Sequence, residues 1–155
     1  MPIFSRFWLT QQTPPTADPE ELRRRGPALQ VEIHIPSVLA AVLQQSQNAI
    51  PTPHVGLALI DTGASITAVD ERVLRTLGLS PTGVTQVATP GGEVQQAVYA
   101  CDIGFPGTPI PTLPFNSVIG SQLEGLGYSA LIGRDVLRFF QLVYNGAEGL
   151  WTLAF

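Results

Sequence analysis

The sequence predicts a mainly β domain with one or two short helices, and three observations support that class. Fifteen glycines and 14 prolines punctuate 155 residues. The apolar runs between them are short and rich in Val, Ile, Leu and Thr, which suits strands and turns better than a helical bundle. Several runs also alternate apolar and polar with the period of a half-buried strand. Hydrophobic residues make up 45% of the chain and charged residues 13%, a composition that can bury a core.

Taken in order, residues 1–28 read as an N-terminal tail or linker. Thr13 to Asp18 is followed by Pro19, and the prolines in this stretch forbid a helix interior or a central strand. Glu20 to Arg25 reads as a solvated helical turn. Phe4, Phe7 and Trp8 are conspicuous in a tail, with packing on the domain or on a partner as the two options. The domain is expected over 29–155. Leu29 to Ile35 alternates as a strand, and Pro36 ends it. Val38 to Gln45 reads as a short helix. Val55 to Ile60 is almost continuously apolar, so burial on both faces is expected. Asp70 is placed to cap a helix over Glu71 to Leu77, with Gly78 at its end. Val84 to Ala88 and Glu93 to Ile103 read as strands around the turn Thr89-Pro90-Gly91-Gly92. Phe115 to Ile119 and Ala130 to Ile132 are further strands, and Arg134 to Phe140 a helix. Leu142 to Tyr144 and Leu150 to Phe155 flank Asn145 to Gly149 as a closing hairpin.

Composition narrows the function. The net charge of −4 comes with no basic stripe, which argues against nucleic acid. The single Cys101 excludes an internal disulfide framework and a cysteine-rich zinc site. His34 and His54 lie far apart and read as surface or strand-edge histidines, so neither a metal nor another cofactor is expected. No apolar stretch approaches the roughly 20 residues that cross a bilayer, and Met1 to Gln12 lacks the apolar core of a signal peptide. No membrane partner is expected, and the cytoplasm is the expected location.

Asp61 stands out. It follows a buried strand and precedes the small, turn-forming Thr62, Gly63, Ala64 and Ser65. A carboxylate there is costly unless it is hydrogen-bonded or shares a proton. Gly63 permits a sharp turn and close approach of a ligand. Thr62 can use its hydroxyl to lock the loop to a neighbouring segment or chain. An aspartate that merely caps a turn is the alternative reading of the tripeptide alone.

The string Ala58 to Ser65 resembles the active-site loop of the retropepsin-like aspartic proteases. Leu131, Ile132, Gly133, Arg134 and Asp135 look like that family's apolar-apolar-Gly strand, which is followed by Arg-Asp or Arg-Asn and a short helix. Thr89, Pro90, Gly91 and Gly92 match the position of the family's flap. The resemblance spans about residues 29–155. It implies a retropepsin-like acid-protease half-barrel, of the bacterial or cellular type, acting as an aspartic endopeptidase. Asp61 would be catalytic, Thr62 to Ser65 would support the loop, and residues 89–92 would cover a peptide or protein substrate. Residues 131–135 would brace the loop from below. Some viral members carry an acid where Ser65 stands, paired with the downstream arginine. Here Arg134 needs another partner, with Asp135, Glu71 or a carbonyl as candidates.

Aspartic proteases use two carboxylates sharing a proton. None of Asp18, Asp70, Asp102 and Asp135 repeats the apolar-strand-to-glycine context of Asp61, and Asp135 better fits a structural role. The dyad therefore requires a homodimer with Asp61 from each copy. By the same resemblance, Leu150 to Phe155 is the expected dimer strand. Two rivals remain at this level. One is a catalytically silent dimerisation or peptide-binding module of the same fold. The other is a serine hydrolase using Ser65, which lacks the second glycine of a nucleophile elbow and a placed histidine.

Overall fold

The computed structural model describes residues 2–89 and 91–154. Pro90 of the expected flap turn and Phe155 of the expected last strand lie outside the described residues. The chain is mainly β, as predicted, with short helices between strands.

Six strands form a closed ring. β2 (Ala28–His34) pairs antiparallel with β3 (His54–Ile60), and β3 runs parallel to β8 (Ala130–Ile132). β8 is antiparallel to β4 (Ala68–Asp70), which runs parallel to β7 (Leu113–Ser121). β7 pairs with the long β6 (Gly92–Gly104), whose far end returns to β2 through Glu32↔Gly104 and His34↔Asp102. β5 (Gly83–Thr89) pairs only with β6, so the two form a hairpin arm extending from the ring. Alternating side chains from the ring fill its interior, among them Val31, Ile33, Ala58, Tyr99, Cys101, Val118 and Ile132, all buried. Burial pushes the Cys101 thiol up to about 12, which leaves it an inert packing group.

The helices obey their caps. In α3 (Glu71–Thr76), the Asp70 carboxylate accepts from the Arg72 N–H, and Gly78 follows with a left-handed φ of 76°. α2 (Ser37–Gln45) fills the expected position between β2 and β3. The helix expected over Arg134 to Phe140 is shorter: α4 covers Arg134–Leu137, and tighter i to i−3 bonds continue from Phe139 and Phe140.

Three expectations are revised. Residues 1–28 are not a loose tail. β1 (Ile3–Phe7) pairs with β10 (Leu150–Ala154), and α1 (Pro19–Arg25) buries Leu22 completely. Phe4 packs edge-on against Trp151 at 5.7 Å, while the Trp8 indole N–H donates to the Gly26 carbonyl at 3.1 Å. Next, β3 is not buried throughout: Val55 is exposed, because β8 reaches only Ala58 to Ile60. Finally, β10, part of the expected dimer strand, has no open edge to offer a second copy. It lies between β1 and β9 (Gln141–Asn145) in a separate three-stranded sheet, so both of its edges are satisfied within one chain.

Candidate active site

The parallel register of β3 and β8 sets Ile60 beside Ile132, and the two strands end together. The chain past β3 is then fastened, residue by residue, to the chain past β8. The Asp61 N–H donates to the Ile132 carbonyl at 3.0 Å, the Arg134 N–H to Ala64 at 2.9 Å, and the Asp135 N–H to Ser65 at 3.2 Å. These backbone bonds fix the loop before any side chain contributes.

Gly133 makes the approach possible. A Cβ there would stand 2.7 Å from the Ile66 carbonyl carbon and 2.9 Å from the Thr67 nitrogen, inside any real contact distance. Beneath it lies a closed polar knot. The buried Thr67 hydroxyl donates to Asp135 Oδ1 at 2.8 Å and accepts from the Gly133 N–H at 3.1 Å. Asp135 Oδ2 accepts from the Thr67 N–H at 3.0 Å. Asp135, which the sequence reads as structural, is the acceptor of this knot, whereas Thr67 was not singled out. Its signal was a lone hydroxyl within the run Ile66 to Val69.

Arg134 finds carbonyls rather than an acid. Its guanidinium donates to Thr62 O at 2.6 Å, to Gly63 O at 3.1 Å and to Ser65 Oγ at 3.0 Å. A planar fork suits this task, since its donors diverge at fixed angles onto several acceptors. The loop carbonyls are thus held without a carboxylate beside Asp61.

Asp61 itself remains partly exposed. Its Oδ1 accepts the Gly63 N–H at 2.8 Å, and no other side-chain hydrogen bond to its carboxylate occurs among the described residues. Gly63 belongs here because a Cβ would stand 3.0 Å from that same oxygen. The Thr62 side chain is exposed and makes no hydrogen bond among the described residues. Beside the loop, the β5–β6 arm covers a cavity of about 360 Å³. Its walls include Ala64, Ile66, Ala68, Val87, Ile119 and Leu131, and no charged residue lines it. The structure therefore brings Asp61 to Ser65 and Leu131 to Asp135 together. The turn at Gly91 and Gly92 stands at the tip of the arm.

The serine alternative has no support in this geometry. Ser65 Oγ is held by Arg134, while His54 Nε2 pairs with Ser129 Oγ at 2.9 Å. Among the described residues, no group of three or more His, Cys, Asp or Glu side chains is arranged to hold a metal ion. No helix among them is long and apolar enough to cross a membrane.

A mainly β ring that presents one aspartate at a braced strand end defines a carboxylate-bearing site under a hairpin arm. Residues 54–105, which carry that aspartate and most of the arm, match the family model described as aspartyl protease. The match covers about a third of the chain. Among solved structures, the chain is similar to the solution structure of the simian foamy virus (mac) protease. The TM-score is 0.46 at 23% identity, over 73% of this chain and 93% of that one. No curated protein matches the chain.

Proposed function

We propose that the chain is an aspartic endopeptidase that works as a homodimer, with Asp61 of each copy forming one dyad. The observation that carries the reading is the state of Asp61: it is the aspartate at a braced strand end whose carboxylate is left open to solvent and to a partner. Asp135, in the first turn of α4, is engaged by the Thr67 N–H and hydroxyl and by the Val136 N–H.

Two carboxylates about 3 Å apart do not ionise together, so one is a base and the other an acid. The ionised member takes a proton from water, and the water oxygen bonds to the peptide carbonyl carbon. The protonated member delivers its proton to the carbonyl oxygen. As the tetrahedral adduct collapses, the now ionised member takes a proton from one of its hydroxyls, and the other member delivers the proton taken from water to the nitrogen. The C–N bond breaks, and amine and acid products leave with one proton again on the dyad. The apparent pKa values would belong to the pair. In this reading Thr62 to Ser65 shape the loop, residues 131–135 brace it, and the arm ending at residues 89–92 closes over an extended peptide.

The free hydroxyl of Thr62 suits a contact with the second copy. The twofold sheet contact would use the outer edge of β1 or β9, since β10 has none to offer. β9 exposes Val143 on one face and Tyr144 on the other, and a second copy paired along this edge would cover part of both.

The test is cleavage of a peptide library between pH 4 and 7 by the wild type and by Asp61→Asn. Products from the wild type alone support the reading; equal cleavage by both proteins refutes it. Sedimentation adds an independent check, with a species of twice the chain mass expected and an active strict monomer ruling out the shared dyad.

A further inference from the structure

β6 changes partners along its length, and the change opens a slot. From Gly92 to Val98 it pairs with β5. Pairing with β7 begins only at Val98↔Ile119 and continues toward Ile103. Glu93 to Ala97 therefore have a partner strand on one side alone. β7 runs on through Gly120 and Ser121, but there it pairs with β4 on its far side, through Val69↔Gly120 and Asp70↔Ser121. The two strands diverge and leave a cavity of about 560 Å³ between them. Gln95, Gln96 and Ala97 form one wall, and Gly120, Ser121 and Gln122 the other.

This slot adjoins the cavity beside the loop of Gly63 to Ser65, because Gln96 and Ser121 line both. Its chemistry differs. The cavity by the loop is largely walled by aliphatic side chains, whereas the slot offers amides, a hydroxyl and open backbone. Glu71 also lines it, but its Oε1 already accepts from the Tyr99 hydroxyl at 2.7 Å and from Arg75 at 2.9 Å. Gly120 lets the buried Tyr99 ring pack against this wall: a Cβ would stand 2.6 Å from the ring.

In an antiparallel strand, alternate residues turn their N–H and C=O outward. Within Glu93 to Ala97 those outward groups face water, with no proline or bulge to protect the edge. Such an edge is a template for one more extended strand. We propose that a peptide substrate continues from the cavity beside the Asp61 loop, walled by Gly63 to Ser65, into this slot and adds to the open edge of β6. An apolar residue would enter the cavity, and polar, uncharged residues would lie beside Gln95, Gln96 and Gln122. The inference rests on the protease reading for the identity of the occupant, not for the existence of the open edge.

The test uses Asp61→Asn protein, which would hold a peptide uncut. The probes are Val-Leu-Phe-Val and the same peptide extended at either end by Gln-Ser-Thr-Gln. One extension should tighten binding about tenfold, the equivalent of one or two net main-chain hydrogen bonds. N-methylation of alternate amides in that extension should remove the gain. The amides of Glu93 to Ala97 should become protected from hydrogen exchange when it binds. Ser121→Phe, at the junction of the two cavities, should also abolish the gain. Equal binding of short and extended peptides, indifference to N-methylation, or unchanged exchange at Glu93 to Ala97 would each overturn the proposal. If the wild type cuts no peptide while the extended probe still protects this edge, the protease reading fails and the slot stands.

Discussion

Asp61 and Asp135 follow two parallel strands that end side by side, yet their surroundings have opposite logic. Asp135 accepts from the Thr67 N–H and hydroxyl, with the Thr67 hydroxyl in turn tied to Gly133. It serves the fold. Asp61 receives a single side-chain bond, from the Gly63 N–H, and keeps an oxygen uncommitted. The acceptor sites of Asp135 are taken up by its own fold, whereas Asp61 keeps an oxygen open to a ligand or a second copy.

The largest effect should come from the reactive side. Asp61→Asn preserves shape and the Gly63 contact but removes the proton exchange. Peptide hydrolysis should fall by about 10²–10⁴-fold or to background, with the thermal midpoint nearly unchanged. A matched loss of folding and activity would erase the distinction between the two aspartates. Asp135→Ala should do the reverse. It strands the buried Thr67 hydroxyl and N–H, so unfolding by urea should show a loss of about 1–3 kcal/mol.

Arg134 links the two sites and sharpens the contrast. Lysine keeps the charge but cannot reach Thr62 O, Gly63 O and Ser65 Oγ together. Arg134→Lys should lower kcat several-fold while changing stability by less than about 0.5 kcal/mol, since the side chain is exposed. A stability loss larger than the activity loss would make Arg134 part of the Asp135 knot instead.

The smallest effect concerns a third carboxylate. Glu71 is held below its ordinary value of 4.5 chiefly by the Tyr99 hydroxyl, with Arg75 adding to it. A depressed folded value means that this stabilisation is fully present above pH 4.5 and disappears as the pH falls through the lower folded value. Tyr99→Phe should flatten that acid limb of the urea midpoint. An unchanged limb would remove Glu71 from the account.

Much of the ring was legible because its determinants are local. The alternation of Leu29 to Ile35, the Asp70 cap before α3 and the turn at Gly91-Gly92 each encode their element within a few residues. The candidate site was legible as two short motifs, Asp61 to Ser65 and Leu131 to Asp135. Their mutual fastening was not, because it depends on a parallel register between β3 and β8 that neither segment specifies alone. The N-terminal segment was misread for the same kind of reason. Its prolines and charge run describe residues 13–25 well, but the pairing of β1 with β10 and the burial of Leu22 are long-range facts. Thr67 escaped notice because a hydroxyl in an apolar run gains meaning only when Asp135 is known to lie against it.

That terminal sheet has a temporal consequence. Ser5 and Thr152 exchange a hydroxyl contact across a sequence separation of 147 residues. Closing so long a loop is entropically expensive, and contacts of this separation slow folding. During synthesis β1 leaves the ribosome before β10 and must wait for it, while the strands between can already pair with one another. The sheet that joins β1 to β10 thus completes later than the ring, and a chain stalled or cut short before residue 150 would carry an unmatched β1.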